Sequence, residues 1–399
     1  MLTPTHLQLI NDTVPILREN GEALTGYFYE RMLRLNPDLK EVFNMGHQRT
    51  GDQAKALASA VLAYAENIEN LAVLGDAVNQ IITKHVSLNI QPEQYSIVGE
   101  NLLASISEVL EVPMESELIE AWEGAYTQLA NILIEGEKAR YLELIAKNKG
   151  WNGWREFEVV RKEKENDEIT SFYFKAVDNK AIMAHKAGQY ISIRVHVPEL
   201  GFKQPRQYTL SHYGSDEFYR ISVKREDAKG NLGAGYVSTT LHHDVEVGDI
   251  VELSAPNGVF YLQNLDRKNV FISGGVGVTP MIAMLAKLSQ SNYSLDVSFL
   301  YACRSNRVLA LSADVLECKK TLPQLKTYLA CEENDEADIK PNKIGRLNLA
   351  EVDAGLLPKD ADYYLCGPDP FLLEQTESLK KYGISESQIY MERFNTGDA

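Results

Sequence analysis

Two residues, His85 and Tyr95, have the types and the spacing of a metal-binding site. His85 ends a run of apolar residues at helical spacing, which consists of Leu71, Leu74, Val78, Ile81 and Ile82. Its imidazole should therefore point towards whatever that face covers. Tyr95 follows in the first turn of a helix that opens at Gln91-Pro92, where proline is favoured because its missing N–H needs no partner. An imidazole held by a nearby acceptor can present a proximal ligand to haem iron, although a single histidine on an apolar face is more often a core residue.

Three further polar residues fall on helical faces that should be buried. Tyr29 lies on an apolar face, and Gln53 heads an apolar stripe that continues through Leu57. Glu137 follows Leu133 by one helical turn, and a carboxylate on an inward face is unfavourable unless it is paired or hydrogen-bonded. Each residue alone also fits an ordinary core or rim position. The three are candidates for a polar site inside the helical part of the chain.

The stretch Arg206-Gln207-Tyr208-Thr209 has features of a flavin site. Alternation places Arg206 and Tyr208 on one face of a strand and the other two residues on the opposite face. An arginine fork suits a pyrophosphate, and an aromatic side chain can stack on a planar ring system. Downstream, the glycine-containing segment 233–238 precedes a helix predicted from Thr239, whose N–H groups could bind a phosphate.

A second glycine-rich segment, Gly274-Gly275-Val276-Gly277-Val278-Thr279-Pro280, connects an apolar strand at 269–273 to a helix predicted over 281–289. Dinucleotide binding requires this order, because the backbone must approach the phosphates and a helix N-terminus must face their charge. The segment departs from the commoner G-x-G-x-x-G, and a turn kept for packing alone is the alternative. Cys366-Gly367-Pro368 follows another strand at 362–365, so both segments should lie beyond carboxyl ends of strands, where ligands bind.

Helical periodicity runs through the first third of the chain. Thr3-Pro4 is typical of an N-cap and a first helical residue. Further helices are predicted at about 21–35, 52–67, 75–85, 92–110 and 116–147. The short connections and the absence of heptads indicate a globular all-α domain over residues 1–147.

The pattern changes to alternation after residue 150. Strands are predicted at about 157–161, 169–174, 190–195 and 218–223, with a charged hairpin at 162–167. Strands at this spacing indicate a small antiparallel β-barrel over residues 148–262. Strands at 295–301 and 362–365, together with the glycine segments, indicate an α/β domain with a doubly wound parallel sheet over 263–399.

Composition sets the broad class. A chain of 399 residues exceeds what one core supports, and a net charge of −16 argues against nucleic acid or an anionic membrane as a partner. The N-terminus lacks the pattern of a secretory signal, and the uncharged stretch 270–286 is too rich in glycine and proline for a membrane span. Four cysteines without CxxC spacing fit a reducing cytoplasm better than a disulfide framework or a zinc site. We expect a cytoplasmic monomer without integral membrane association.

The first third resembles the globin portion of the flavohaemoglobins. The resemblance rests on Phe28-Tyr29, on Glu41-Val42-Phe43-Asn44, on residues 44–53, on Lys84-His85, and on residues 91–95 and 97–100. It implies that His85 is the proximal ligand of haem iron and that Tyr95 and Glu137 form a hydrogen-bonded relay behind it. It also implies that Tyr29 and Gln53 are the distal hydrogen-bond donors and that Phe43 and Leu57 form the walls of the pocket.

The remaining two thirds resemble the ferredoxin-reductase-like family, through Gly188-Gln189-Tyr190, both glycine segments and the terminal strand 389–394. The resemblance implies an FAD site made of Tyr190, Arg206, Gln207, Tyr208, Thr209 and Ser238. It implies a nicotinamide nucleotide site made of Gly275, Val276, Gly277, Val278, Thr279, Pro280, Cys366 and Gly367. Phe394 would cover the flavin, although Asn395-Thr396 replaces the family's Gly-Pro, and Lys84 and Phe394 would adjust the redox balance of haem and flavin.

Nucleotide choice depends on the end of the predicted strand 295–301. No acidic residue stands there to hold a ribose 2′-hydroxyl. Arg304, Ser305 and Arg307 follow instead and could accommodate a 2′-phosphate. NADH and NADPH both remain open, and the family resemblance favours NADH.

The order of the three parts resembles the flavohaemoglobins, which are nitric oxide dioxygenases. This resemblance implies haem b, FAD and NAD(P)H as cofactors, and nitric oxide and dioxygen as the small molecules that are converted to nitrate. Two alternatives stay open. One is an oxygen-binding or sensing globin whose reductase keeps the iron ferrous, and the other is a flavin reductase that acts on external acceptors.

Overall fold

The computed structural model describes residues 2–228, 230, 233–335 and 339–394. They form a helical part, then an antiparallel curled sheet, then a parallel sheet flanked by helices. The predicted fold class is therefore confirmed. In the described residues no helix is both long and apolar enough to cross a membrane.

The helical part contains α1 (Pro4–Leu35), α2 (Met45–Thr50), α3 (Asp52–Glu66), α4 (Gly75–Ser87), α5 (Pro92–Leu110) and α6 (Glu117–Ala146), with 3₁₀ turns at Pro37–Glu41 and Leu71–Leu74. Thr3 caps α1 as predicted, because its side-chain oxygen accepts from the N–H of His6 at 3.2 Å. The predicted start of α5 at Gln91-Pro92 is also confirmed, and Tyr95 lies in its first turn.

The prediction of a separate helix from residue 21 is wrong. Helix α1 is continuous from Pro4 to Leu35 and passes through Pro15. A proline inside a helix removes one backbone hydrogen bond and weakens that turn by about 3 kcal/mol. Ile10 and Leu17, on either side of it, are buried in the helical core, and burial of each side chain stabilises the fold by about 1.5–3 kcal/mol. Tyr29 consequently lies on the first helix and not on the second.

The antiparallel sheet contains β1 (Arg155–Lys164), β2 (Ile169–Ala176), β3 (Tyr190–Val197), β4 (Phe202–Thr209), β5 (Tyr219–Lys224) and β6 (Ile250–Leu253), in the order β4-β3-β6-β1-β2-β5. Helix α7 (Tyr236–His243) packs Val237 and Leu241 into its core. Strand β1 extends to Lys164, into the predicted hairpin, because its last residues pair with β2, with Lys164 opposite Thr170. The Lys162 ammonium donates to the carbonyl oxygens of His242 and Val245 at 2.9 and 2.8 Å.

The parallel sheet contains β7 (Lys268–Gly274), β8 (Val297–Ser305), β9 (Leu325–Glu333), β10 (Lys343–Ile344), β11 (Ala361–Gly367) and β12 (Ile389–Arg393), in the order β10-β9-β8-β7-β11-β12. Helices α8 (Val278–Ser289), α9 (Ser312–Thr321) and α10 (Asp369–Tyr382) cover it. One hydrophobic cluster includes Met281 and Leu285 of α8, and another includes Leu372 and Leu379 of α10. Strand order reverses between β7 and β11, which is where sheets of this kind bind ligands.

Two connections separate the three parts. The first lies between Ala146, the end of α6, and Arg155, the start of β1. The second lies between Leu253, the end of β6, and Lys268, the start of β7. The boundaries 1–147, 148–262 and 263–399 fall within these connections and stay a prediction.

Candidate functional site

His85, Tyr95 and Glu137 come together from three helices. His85 Nδ1 lies 2.8 Å from Glu137 Oε1 and 2.9 Å from Tyr95 Oη, and Tyr95 Oη donates to Glu137 Oε1 at 2.5 Å. A carboxylate only accepts, so the imidazole carries its proton on Nδ1 and leaves Nε2 free to bind a metal. The Glu137 side chain is 3% exposed, and burial with the nearby carboxylate raises the pKa of Tyr95 well above its usual value. His85, held by Glu137 and Tyr95, therefore fits the role of a proximal haem ligand.

The carboxylate contacts the imidazole directly. The resemblance implied a relay in which Glu137 acts through Tyr95, but Glu137 is bonded to both partners. Glycine allows this approach, because a Cβ at Gly136 would lie 2.3 Å from the Cδ1 of Ile82 on α4. Tyr126 holds Tyr95 from the other side, since its hydroxyl donates to the Tyr95 carbonyl at 2.6 Å.

A second polar group lies in a different cluster of the same helical core. The Tyr29 ring packs against Phe28 at 4.9 Å and against Phe43 at 5.6 Å between ring centroids. Burial raises the pKa of Tyr29 well above its usual value, so its hydroxyl keeps its proton, and a hydrogen bond donated by Gln53 opposes this rise only in part. Leu57 packs against the same cluster. The structure therefore brings together Tyr29, Gln53 and Phe43 of the residues predicted for the distal side.

Gln48 was not predicted to take part in this group. Its side-chain amide donates to Gln53 Oε1 at 3.1 Å. The contact fixes the Gln53 amide, because an oxygen that accepts from Gln48 leaves the nitrogen as the donating end. Gln48 lies on α2 and Gln53 in the first turn of α3, so the pairing depends on how these two helices meet.

The flavin motif lies on β4, as predicted, and is paired with β3. Tyr190 is the register partner of Thr209, and Ser192 is that of Gln207. The Gln207 amide donates to the Ser192 hydroxyl at 3.2 Å. Tyr208 is half-buried, and its burial raises the pKa of its phenol well above the usual value. Its ring could therefore stack on a flavin as a neutral group.

Three basic side chains meet at the junction of the helical part with the barrel, and they are those of His47, Lys84 and Arg206. Burial lowers the pKa of Arg206 to about 10, and burial together with the charge of Arg206 lowers the pKa of Lys84 to about 8. Burial, and after it the charges of Arg206 and Lys84, lowers the pKa of His47 to about 4. Arg206 donates to the side-chain oxygen of Asn44. The positive charges of Arg206 and Lys84, which burial holds away from water, fit the diphosphate of FAD.

The predicted phosphate loop differs in one respect from the prediction. Helix α7 begins at Tyr236 and not at Thr239, so Ser238 lies inside its first turn. The Ser238 hydroxyl accepts from the N–H of Glu226 and donates to the carbonyl of Gly235, both at 3.2 Å. Among the described residues the buried Thr239 hydroxyl contacts no hydrogen-bond partner, which suits a ligand oxygen at this helix start.

Arg49 of α2 was not predicted as a site residue. Its guanidinium donates to the Tyr236 hydroxyl at 3.1 Å and to the Ala234 carbonyl at 2.9 Å. It also lies 4.6 Å from the centroid of the Tyr236 ring. The helical part therefore covers the phosphate loop of the barrel.

The two glycine segments of the parallel sheet meet at the switch point between β7 and β11. A Cβ at Gly277 would lie 2.3 Å from the carbonyl oxygen of Cys366, so only glycine allows this contact. The Thr279 hydroxyl donates to the Val276 carbonyl at 3.1 Å, and α8 begins at Val278, three residues earlier than predicted. The backbone is therefore arranged as a dinucleotide phosphate site requires.

Glu392 is a further residue that sequence reasoning missed. It is the register partner of the buried Cys366, and burial raises the pKa of its carboxyl group to about 7. Burial, and after it the charge of Glu392, raises the pKa of the Cys366 thiol. The charge of Glu392 also raises the pKa of the Tyr190 phenol, after burial. It thus connects the predicted nicotinamide and flavin sites. Phe394 follows on the same strand end and is 39% exposed, whereas Asn395 and Thr396 lie outside the described residues.

The expectation about the end of β8 needs a correction. The strand runs to Ser305, and the Ser305 hydroxyl donates to the carboxylate of Asp335, which follows β9. Arg304 is ion-paired with Glu168 of the barrel. An acidic residue does stand at this end, because the neighbouring strand supplies it. No local pattern in β8 could have indicated that.

Three family models match the chain. They are the globin model over residues 26–133, the oxidoreductase FAD-binding domain over residues 156–261, and the oxidoreductase NAD-binding domain over residues 271–376. The predicted order of the three parts is thereby confirmed.

Complete relatives match over the whole length. The flavohemoprotein of Bordetella pertussis is 45% identical over 402 residues, which cover 100% of this chain and 99% of that protein. The crystal structure of a flavohemoglobin from Malassezia yamatoensis with bound FAD and heme has a TM-score of 0.86 and 28% identity, covering 99% of this chain and all of that one. The FAD/NAD binding domain of a nitric oxide dioxygenase from Vibrio cholerae has a TM-score of 0.55 and 36% identity, covering 60% of this chain and 98% of that one.

Replacing Glu137 by glutamine should raise the midpoint potential of the haem. A carboxylate bonded to the imidazole N–H makes the ligand more electron-donating and favours ferric iron. We expect a rise on the order of 60 mV, a tenfold change in a one-electron equilibrium. Spectroelectrochemical titration measures it, with Glu143→Gln on the exposed side of the same helix as the control. An unchanged potential in Glu137→Gln would contradict the assignment.

Replacing Arg206 by alanine should weaken FAD binding by about ten- to hundredfold, because hydrogen bonds to charged groups contribute roughly 1.5–3 kcal/mol. Fluorescence titration of the apoprotein with FAD measures the dissociation constant. Arg194→Ala is the matched control, since Arg194 lies on β3 and is paired with Glu252 at 2.7 Å. Equal affinity in the Arg206 variant and the wild type would remove Arg206 from the phosphate site.

Proposed function

Because the chain belongs to the flavohaemoprotein family, we propose that it is a nitric oxide dioxygenase that converts nitric oxide and dioxygen to nitrate. The globin, FAD-binding and NAD-binding parts make it an oxidoreductase whose cofactors are haem, FAD and NAD. The similar reductase domain from Vibrio cholerae comes from a protein named for this activity. The observation that carries the proposal is the buried carboxylate on the Nδ1 side of His85.

When bound, the nicotinamide would supply a hydride, the flavin would take it up as two electrons and a proton and pass the electrons on one at a time, and the haem would supply the place where dioxygen and nitric oxide combine. His85 would bind the iron through Nε2. Glu137 and Tyr95 hold the other nitrogen and keep its proton in place. A histidine made electron-rich in this way favours transfer of charge to dioxygen, which reversible oxygen storage does not need.

Tyr29 and Gln53 would act on the opposite side of the haem. The Tyr29 hydroxyl remains protonated, so it can donate to an oxygen atom that gains negative charge. Gln53 has its oxygen fixed by Gln48 and presents its N–H₂ end. Phe43 packs on Tyr29, Leu57 packs against the same hydrophobic cluster, and both would keep water out.

In the reductase half, Arg206, Ser238 and the start of α7 would hold the FAD diphosphate, while Tyr190 and Tyr208 would flank the isoalloxazine. Lys84 lies next to Arg206 on the helix that carries His85, so its charge would act on the flavin from the haem side. Glu392 on β12 and Phe394, which follows that strand, would act from the nucleotide side. Gly275, Gly277 and Cys366-Gly367 would receive the nucleotide.

NADH is the proposed nucleotide. The carboxylate of Asp335 bonds the Ser305 hydroxyl, in the position of a group that would hold a ribose 2′-hydroxyl. Arg304, which could otherwise attract a 2′-phosphate, is neutralised by Glu168. Negative charge therefore faces the place where NADPH carries its additional phosphate.

The dioxygenase proposal and its two alternatives differ in what happens when nitric oxide meets the oxygenated protein. Stopped-flow mixing should give fast decay of the oxygenated spectrum and stoichiometric nitrate. Slow decay without nitrate would favour the oxygen-binding globin. Full turnover with an external acceptor after haem removal would favour the flavin reductase.

Replacing Tyr29 by phenylalanine should speed dioxygen dissociation from the ferrous protein by about tenfold, because one hydrogen bond to a charged acceptor is lost. Flash photolysis or ligand displacement measures the rate. Tyr64→Phe is the matched control, since the buried Tyr64 hydroxyl donates to the Ala125 carbonyl at 2.8 Å in the same core. The same dissociation rate in the Tyr29 variant and the wild type would place Tyr29 outside the distal pocket.

Replacing Glu168 by glutamine should lower the KM for NADPH by about tenfold. The substitution leaves Arg304 without its ion-pair partner, and it removes a negative charge that would repel the 2′-phosphate. The KM for NADH should stay the same. Steady-state reduction with each nucleotide measures the ratio. Glu163→Gln serves as control, since Glu163 lies on β1 near Arg161. If NADPH use stays constant, Arg304 does not face the 2′ position.

A further inference from the structure

One side chain joins the helix that carries His85 to the strand that carries Tyr190. Asn257 follows β6 and is 4% exposed. Its side-chain N–H₂ donates to the carbonyl of Thr83 on α4 at 2.9 Å, and its side-chain oxygen accepts from the N–H of Gly258 at 3.0 Å. Both ends of the amide are thus fixed by hydrogen bonds.

The backbone of Asn257 is equally fixed. Its N–H donates to the Tyr190 carbonyl and its carbonyl accepts from the Tyr190 N–H, both at 2.9 Å. This pair is an isolated antiparallel bridge at the start of β3. The Tyr190 phenol also interacts with the hydroxyl of Ser87 on α4. Asn257 and Tyr190 therefore form one unit that contacts α4.

Thr83, the acceptor of this bond, stands two residues before His85. Thr83 is 3% exposed, and its hydroxyl donates to the Asn79 carbonyl at 2.7 Å. Among the described residues, the other side-chain hydrogen bonds that join the helical part to the barrel involve residues 40–49. Asn257 and Tyr190 thus add polar contacts to the proximal helix itself, beside the packing of its Val86 in one cluster with Met183 and Ala255.

We propose that Asn257 is a positioning residue for electron transfer from FAD to haem. It sets the distance and orientation between the strand that would flank the flavin and the helix that would hold the iron. Electron transfer depends steeply on this separation, so a small displacement of α4 slows it. This inference rests on the electron path of the proposed function, but not on the reaction with nitric oxide.

A purely structural role makes a different prediction. A helix carbonyl such as that of Thr83 normally accepts from the N–H four residues on, and a second lone pair receives Asn257. Loss of the Asn257 amide therefore leaves the carbonyl hydrogen-bonded, and we expect haem and flavin to stay bound. The loss of the Asn257 amide should instead slow electron transfer from FAD to haem.

The test is anaerobic stopped-flow reduction of the full-length, cofactor-loaded protein by NADH. Flavin bleaching reports transfer from the nucleotide, and the Soret change reports transfer to haem. In Asn257→Ala, flavin reduction should keep its rate and haem reduction should slow by about tenfold or more. The two midpoint potentials should not change. The lifetime of flavin fluorescence in the oxidised protein, which haem shortens in a distance-dependent way, should lengthen.

Asn166→Ala is the matched control. Its side-chain amide donates to the Val308 carbonyl at 3.0 Å, across the other junction, between the barrel and the nucleotide-binding part. Haem reduction after flavin reduction should be unaffected in this variant. Asn257→Asp keeps the volume and the acceptor for Gly258 but removes the donor to Thr83, so it replaces the alanine variant if that variant does not fold.

Haem reduction at the wild-type rate in both Asn257 variants would overturn the proposal. So would slower reduction that comes with shifted potentials or lost cofactor, because the role would then be structural. A protein that forms no nitrate, but whose haem reduction slows in Asn257→Ala, would refute the dioxygenase and leave this proposal intact.

Discussion

The hydrogen bond between a buried carboxylate and one imidazole is the interaction on which the rest of the structure depends. Glu137 lies inside the helical part, where an unpaired charge would be strongly unfavourable. His85 and Tyr95 supply its partners. The same bonds orient the imidazole, so one arrangement stabilises the fold and prepares a metal ligand. Helices α4, α5 and α6 must meet closely for this, which explains why glycine stands at position 136.

The junction between the helical part and the barrel is the second constraint. Arg206 and Lys84 place positive charge there with little access to water. Mutual repulsion disfavours the arrangement unless an anion is bound, so flavin binding and correct seating of the helical part should support each other. Flavin binding at this junction therefore depends on both the helical part and the barrel.

Much of the fold and part of the site could be predicted from sequence, because those features are local. Helical spacing around His85, alternation around Arg206 and the glycine segment before α8 each reflect backbone geometry within a few residues. Residues such as Glu392, Asn257 and Asp335 could not be found in this way, since their partners come from other strands or domains. The continuity of α1 was missed because tertiary burial there outweighs the local helix-breaking effect of Pro15. The resemblance supplied roles that no spacing contains.

The position of Arg49 over the phosphate loop bears on how such chains can be recombined. Arg49 belongs to the globin by sequence, yet its guanidinium contacts Tyr236 and Ala234 of the barrel. A graft that exchanges whole globins between relatives would therefore replace part of the flavin's surroundings as well. A chimera should therefore keep α2 together with the barrel loop that it contacts. The unit to exchange between relatives is this contact surface and not the globin domain alone.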